Sequence, residues 1–184
     1  LDEEFQFKKF RSFLRSDVPE YVPRNRNGKT WYVDQGFVPS SSANQEVRRG
    51  LKEGVTFQIP TQAELHHLLV TWKAWAQSRH FMVVTGHYKS MIAHPGMLWH
   101  GVYLNSHLVG AIGYTLQNEL ACIGYCKSVP GHWWLGKCLW ITALDRILAQ
   151  GPSRVICGDT ADKIKEAMGF SPMPAYRLQP RELP

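Results

Sequence analysis

The sequence predicts an α+β, mixed α/β fold, and three observations carry that prediction. Val55, Phe57 and Ile59 alternate as a strand that Pro60 stops, and Thr61-Gln62-Ala63-Glu64 then has the form of a capping box opening a helix. Three strand-like runs follow, Leu98 to Leu104, Leu108 to Leu116 and Leu120 to Val129; Asn105-Ser106 and Gln117-Asn118 at their joins indicate an antiparallel meander. The third run passes through a glycine-containing turn into an apolar helix, about Trp133 to Gln150, which leads to a short buried strand, Arg154 to Cys157. Mixed strand directions with helices after the first and fourth of these strands fit a sheet flanked by helices.

The remaining elements are read in chain order. Phe7, Phe10, Phe13 and Leu14 recur at helical spacing, with Lys8, Lys9, Arg11 and Arg15 off that stripe, so an amphipathic helix is expected over residues 3 to 16. Asn27-Gly28 marks a turn before a short strand, Thr30 to Val33. Pro39-Ser40-Ser41-Ser42-Ala43-Asn44 reads as a linker, and it places a boundary near residue 52 between an N-terminal extension (1–52) and the main domain (53–184). The helix after Thr61 has an apolar face of Leu65, Leu68, Leu69, Trp72, Trp75 and Ala76. Residues 79 to 97 are less regular. Near the C-terminus, Asp159 or Thr160 caps a helix running through Met168, Gly169 ends it, and one more strand is expected around Ala175 to Leu178.

A chain of 184 residues that is 44% hydrophobic can bury one full core. No apolar run approaches the roughly 20 residues that span a bilayer, and L-D-E-E-F lacks the basic-then-apolar profile of a secretory signal, so a soluble, cytoplasmic protein is expected. Four cysteines do not make a disulfide framework in a chain of this length; Cys122 and Cys126 would share a strand face, but no second pair stands at ligand spacing, so structural thiols are expected and no metal. The net charge of +6 is spread evenly, with ten basic against seven acidic residues in 1–52 and eleven against eight in 53–184. Such a balance suits an anionic partner without demanding one. Arg24, Arg26 and Lys29, interleaved with Tyr21, Trp31 and Tyr32, are the candidate nucleic-acid contacts, the alternative being a solvated turn.

The helix after Val129 is the most suggestive feature. A helix that starts abruptly presents unpaired N–H groups and the positive end of its dipole, which suits a phosphate or pyrophosphate.

Three segments resemble the GNAT acyltransferase superfamily: G-V-T-F-Q-I-P-T-Q-A-E-L, the hairpin G-V-Y-L-N-S-H-L-V-G-A-I-G-Y, and I-K-E-A-M-G-F. Together they cover roughly residues 54 to 172. The resemblance implies a central mixed sheet whose middle strands splay, with an acyl-CoA, most simply acetyl-CoA, in the splay after Leu120 to Val129. Its pantetheine would pair with backbone there and its pyrophosphate would sit on the next helix N-terminus. The residues this implies for the cofactor are Lys127, Val129, Gly131, His132, Trp134, Leu135, Gly136 and Lys137. The family signature Gln/Arg-x-x-Gly-x-Gly/Ala falls on Gly131 to Gly136 and keeps only the last glycine; Trp134 stands where the first glycine lets backbone approach the pyrophosphate. The tyrosine that many relatives use as general acid falls on Lys165. A second, looser resemblance, through His87-Tyr88 upstream of Leu108-Val109-Gly110, is to Mom-type phage DNA-modification proteins and implies a DNA base or modified base as acceptor.

Acyl transfer from a thioester to an amine needs a neutral amine, a donor for the tetrahedral oxyanion and a proton for the departing thiolate. By analogy with the superfamily, a backbone N–H near Ser128 or Val129 serves the oxyanion. Asp159, Tyr125, Tyr88, His87 and His132 are the acid-base candidates; a helix cap explains Asp159 and core packing explains Tyr125 equally well. Trp133, Trp134 and Trp140 offer packing or a stacking platform. The expected function is an N-acyltransferase using acyl-CoA by direct transfer, with DNA-base modification and a non-catalytic binding module of the same fold as alternatives.

Overall fold

The computed structural model describes residues 21–23, 29–81, 85–158, 161–174 and 176–178. The strands are β1 (Tyr21–Pro23), β2 (Lys29–Asp34), β3 (Thr56–Gln58), β4 (Leu98–Leu104), β5 (His107–Gln117), β6 (Leu120–Ser128), β7 (Arg154–Gly158), β8 (Ser171–Pro174) and β9 (Tyr176–Leu178). The helices are α1 (Ser41–Lys52), α2 (Gln62–Ser78), α3 (Gly86–Ala93), α4 (Leu135–Leu148) and α5 (Asp162–Met168). Seven strands form one sheet in the order β3-β4-β5-β6-β7-β2-β8, antiparallel throughout except for β6 against β7; β1 and β9 pair separately. None of the described helices is long and apolar enough to cross a membrane.

Local chemistry accounts for the elements. The Thr61 hydroxyl accepts from the Glu64 N–H while the Glu64 carboxylate accepts from the Thr61 N–H, which completes the capping box of α2. Asn105 and Ser106 both take positive φ, 50° and 63°, the twist a two-residue hairpin turn requires between β4 and β5. Gly169 closes α5 with φ +94°. The prolines of β8 are tolerated because it is an edge strand.

Three expectations need correction. The serine-rich stretch is no linker: Ser40 is the N-cap of α1, its hydroxyl accepting from the Ala43 N–H and donating to the Ala167 carbonyl at 2.7 Å. The buried stripe of α1 is Ala43, Glu46 and Gly50, residues too small or too polar to register as an apolar face. Nor does the sheet divide near residue 52, since β2 lies between β7 and β8, with the Asp34 carboxylate accepting from Nε and Nη2 of Arg154 at 2.6 and 3.0 Å. The helix expected to be capped by Asp159 or Thr160 begins at Asp162, after Ala161 with φ +61°. The helix expected over residues 3 to 16, the Asn27-Gly28 turn, Asp159, Thr160, Arg24 and Arg26 lie outside the described residues.

Two cores cover the two faces of the sheet. On one, α4 buries Leu135, Cys138, Leu139, Ile141, Leu144 and Ile147, with α1 packed across it; on the other, Leu65, Leu68 and Leu69 of α2 meet Met91 and Ile92 of α3 beneath Tyr125.

Candidate active site between strands β6 and β7

The parallel pairing of β6 with β7 matches Leu120, Ala121 and Cys122 to Arg154, Val155 and Ile156 and goes no further. Both strands continue, β6 to Ser128 and β7 to Gly158, so a gap opens between them toward their C-terminal ends. A bulge makes β6 suited to line it. The register on β5 shifts between Gly113 and Tyr114, whose partners are Tyr125 and Ile123, leaving Gly124 as the extra residue. The bulge reverses the alternation of faces: Ile123 and Cys126 pack with the α4 core, whereas Tyr125 packs with the α2/α3 core.

The ladder then decides which backbone groups face the gap. Val129 N–H donates to Val109 O at 2.8 Å, so of the two expected oxyanion donors it is committed to β5. In this antiparallel register Lys127 and Tyr125 share that orientation, while the alternate residues Ser128 and Cys126 turn their N–H and C=O groups away from β5, toward β7. Across the gap, the carbonyls of Cys157 and Gly158 accept from the buried ammonium of Lys165 at 2.6 and 3.1 Å, and that ammonium stands 5.3 Å from the centre of the Trp140 ring.

Burial pushes the thiol pKa of Cys126 up to about 11 and that of Cys157 higher still, which leaves thiols rather than nucleophilic thiolates at neutral pH. Among the described residues, no group of three or more His, Cys, Asp or Glu side chains is placed to hold a metal.

On the α4 side, Gly131 has φ +106°, and among the described residues no side chain caps the helix N-terminus. The Leu135 N–H donates to His132 O at 3.0 Å, and the Leu135 side chain is core. Among the described residues, a Cβ on Gly136 would meet nothing within 4 Å, so the second residue of α4 borders open space there; Lys137 follows it, half-buried. Trp134 is buried with its ring against Gly50 of α1, where a Cβ would lie 3.1 Å from the ring. His132 and Trp133 are exposed, and the Arg49 guanidinium lies 4.9 Å from the Trp133 ring centre.

On the opposite face, Tyr125 is fully buried and its hydroxyl has no hydrogen-bond partner among the described residues. Burial holds its pKa well above the usual phenol range, which suits an orienting hydrogen bond better than proton donation. Lys127 also turns to this face, away from α4, and its ammonium donates to the Tyr88 hydroxyl at 3.1 Å. His87 and Tyr88 are neighbouring rings on α3. Lys29 is in β2, four strands from β4.

The structure thus brings Ser128, Lys127, Tyr125 and Tyr88 to one end of β6, and Gly131, His132, Gly136 and Lys137 to the start of α4. The burial of Lys165, and Trp72 standing over Lys127, were not readable in the sequence. Both depend on contacts between residues 8 to 55 positions apart, which no local periodicity encodes.

No protein-family model matches the chain, and no curated protein matches it in sequence. Solved structures do match in shape. FemX superposes with a TM-score of 0.65 over 86% of this chain at 9% identity. The C-terminal domain of a protein described as a lysylphosphatidylglycerol synthetase from Agrobacterium fabrum gives 0.62 over 81% at 11%, and L-PGS from Bacillus licheniformis gives 0.63 over 81% at 13%. This chain covers 61%, 58% and 58% of those three structures. Identities this low speak for architecture alone. The mixed seven-stranded sheet, flanked by helices and parted between its two parallel strands, is the GNAT fold.

Proposed function

We propose that the protein is an N-acyltransferase that moves an acyl group, most simply acetyl, from an acyl-CoA thioester directly to an acceptor amine. The parting of β6 from β7 after Cys122 carries this reading, because it leaves a strand edge unpaired among the described residues beside the N-terminus of a helix. Extended pantetheine can add to such an edge as a strand would, through the outward N–H and C=O groups of Cys126, which leaves the Ser128 N–H for the reacting carbonyl. The pyrophosphate fits the start of α4, where Gly136 and Lys137 offer backbone N–H groups, the helix dipole and an ammonium. Trp134 does not oppose this, since its ring is turned into the contact with α1.

The chemistry follows from the positions. The amine nitrogen attacks the thioester carbonyl, and the Ser128 N–H stabilises the oxyanion. Collapse of the tetrahedral intermediate breaks the C–S bond, and the proton shed by the amine balances the departing thiolate. No covalent enzyme intermediate is involved.

A thermal-shift titration with acetyl-CoA, on wild type and Gly136→Glu, tests this. Wild type should be stabilised in a saturable way. The variant carboxylate, pointing into open space, should leave the melting temperature of the free protein within about 2 °C while weakening acetyl-CoA at least about tenfold through repulsion at the phosphates. An absence of stabilisation at millimolar acetyl-CoA contradicts the proposal.

The names of the neighbours favour a second donor. A lysylphosphatidylglycerol synthetase is named for transfer of a lysyl group, so an aminoacyl ester in the same gap is the alternative. A lysyl ester that stabilises the protein where acetyl-CoA does not would select it.

A further inference from the structure

The surroundings of Lys127 are unusual for a lysine at the end of a strand. Its ammonium lies 4.1 Å from the centre of the Trp72 ring and 4.2 Å from that of Tyr88, within cation–π range of both, and it donates to the Tyr88 hydroxyl. The walls of this cage are fixed by edge-to-face contacts: Trp72 on Tyr88 at 5.9 Å, Tyr88 on Tyr125 at 5.7 Å and Tyr125 on Trp99 at 5.1 Å. Among the described residues, no carboxylate is paired with Lys127. An ammonium held by two ring faces and one phenol oxygen has lost most of its side-chain freedom and retains donors for a further partner.

Its position gives this charge a use. Lys127 immediately precedes Ser128, whose N–H faces the gap, and its side chain stands on the α2/α3 face of the sheet, opposite the α4 face assigned to the donor phosphates. We infer that Lys127, clamped between Trp72 and Tyr88, anchors an oxyanion group, carboxylate or phosphate, on the acceptor amine. The word acceptor rests on the acyl-transfer reading; the anion site does not. A second cation beside the caged ammonium is repelled, so plain polyamines are poor ligands here and amines bearing a nearby acid group are good ones.

The experiment combines binding and turnover. The indole N–H resonances of Trp72 and Trp99 are followed by NMR while O-phosphoethanolamine, β-alanine, ethanolamine or 1,4-diaminobutane is added to wild type, Lys127→Met and Lys127→Arg. Saturable shifts are expected with the first two amines and not with the last two. They should weaken at least tenfold in Lys127→Met and persist in Lys127→Arg. Inorganic phosphate should compete with both anionic amines; its failure to do so would contradict an oxyanion site.

With acetyl-CoA as donor, the preference for the anionic amines in kcat/KM should collapse in Lys127→Met chiefly through KM. Equal binding of neutral or cationic amines overturns the inference, as does a Lys127→Met variant that loses affinity for acetyl-CoA instead of for the amines. Lys127-dependent binding of the anionic amines without any transfer would keep the anion site and remove the acyltransferase reading. Transfer without any preference for anionic amines would do the reverse.

Discussion

At the residue scale, the burial of polar groups explains more than the polar groups that are exposed. His100 on β4 is buried, stacked on Phe57 and hydrogen-bonded through Nε2 to the Thr142 hydroxyl at 3.0 Å. Burial, aided by the Arg146 charge, depresses its pKa to about 4. The unfolded chain protonates this imidazole near its ordinary value of about 6.5, whereas the folded chain resists protonation until about pH 4. Its contribution is therefore fully present above pH 6.5 and is lost as pH falls from there toward 4. Thermal melts across that window should show a steeper fall for wild type than for His100→Gln, and parallel curves would contradict the assignment. Lys165 illustrates the limit of reading residues alone: its place in the motif was visible in the sequence, but its burial against the β7 carbonyls needed the fold.

At the element scale, legibility tracked the strength of local chemistry. The α2 capping box, the three-stranded meander and Gly169 as a helix stop were readable because cap, turn and alternation signals lie within a few residues of one another. Helix α1 was not, since its packing face is made of small residues and one glutamate in place of a stripe of large apolar side chains. The same feature makes it fragile. A Cβ on Gly50 would come within 2.8 Å of Cys138 Sγ and 3.1 Å of the Trp134 ring, so α1 approaches α4 through a position that tolerates no side chain. Gly50→Val is expected to cost about 1–3 kcal/mol, checked by chemical denaturation. A variant as stable as wild type would mean that α1 does not dock as described. The Gly124 bulge was equally hidden, because one unpaired residue leaves no trace in a run that already reads as a strand.

At the scale of the whole molecule, the span of roughly residues 54 to 172 over which the sequence resembles the GNAT superfamily holds five strands of the large sheet, β3 to β7, and the start of β8, while β2 comes from outside it. Its place between β7 and β8 arises from long-range pairing, with Trp31 Nε1 donating to Asp162 at 2.7 Å and Arg154 held by Asp34, so the large sheet draws on residues from both sides of position 52. By bonding to the far edge of β7, β2 fixes that strand while its near edge parts from β6. The gap is thus a property of the assembled sheet, with α4 on one face and the Lys127 cage on the other. Its use as a donor site is tested most directly by the backbone amides along it. In a 15N-labelled protein titrated with acetyl-CoA, the Ser128 and Cys126 amide resonances should shift with a single saturating curve, while Val129, already bonded to Val109, should move far less. Shifts confined to the surface away from β6, or none at millimolar ligand, would contradict the account.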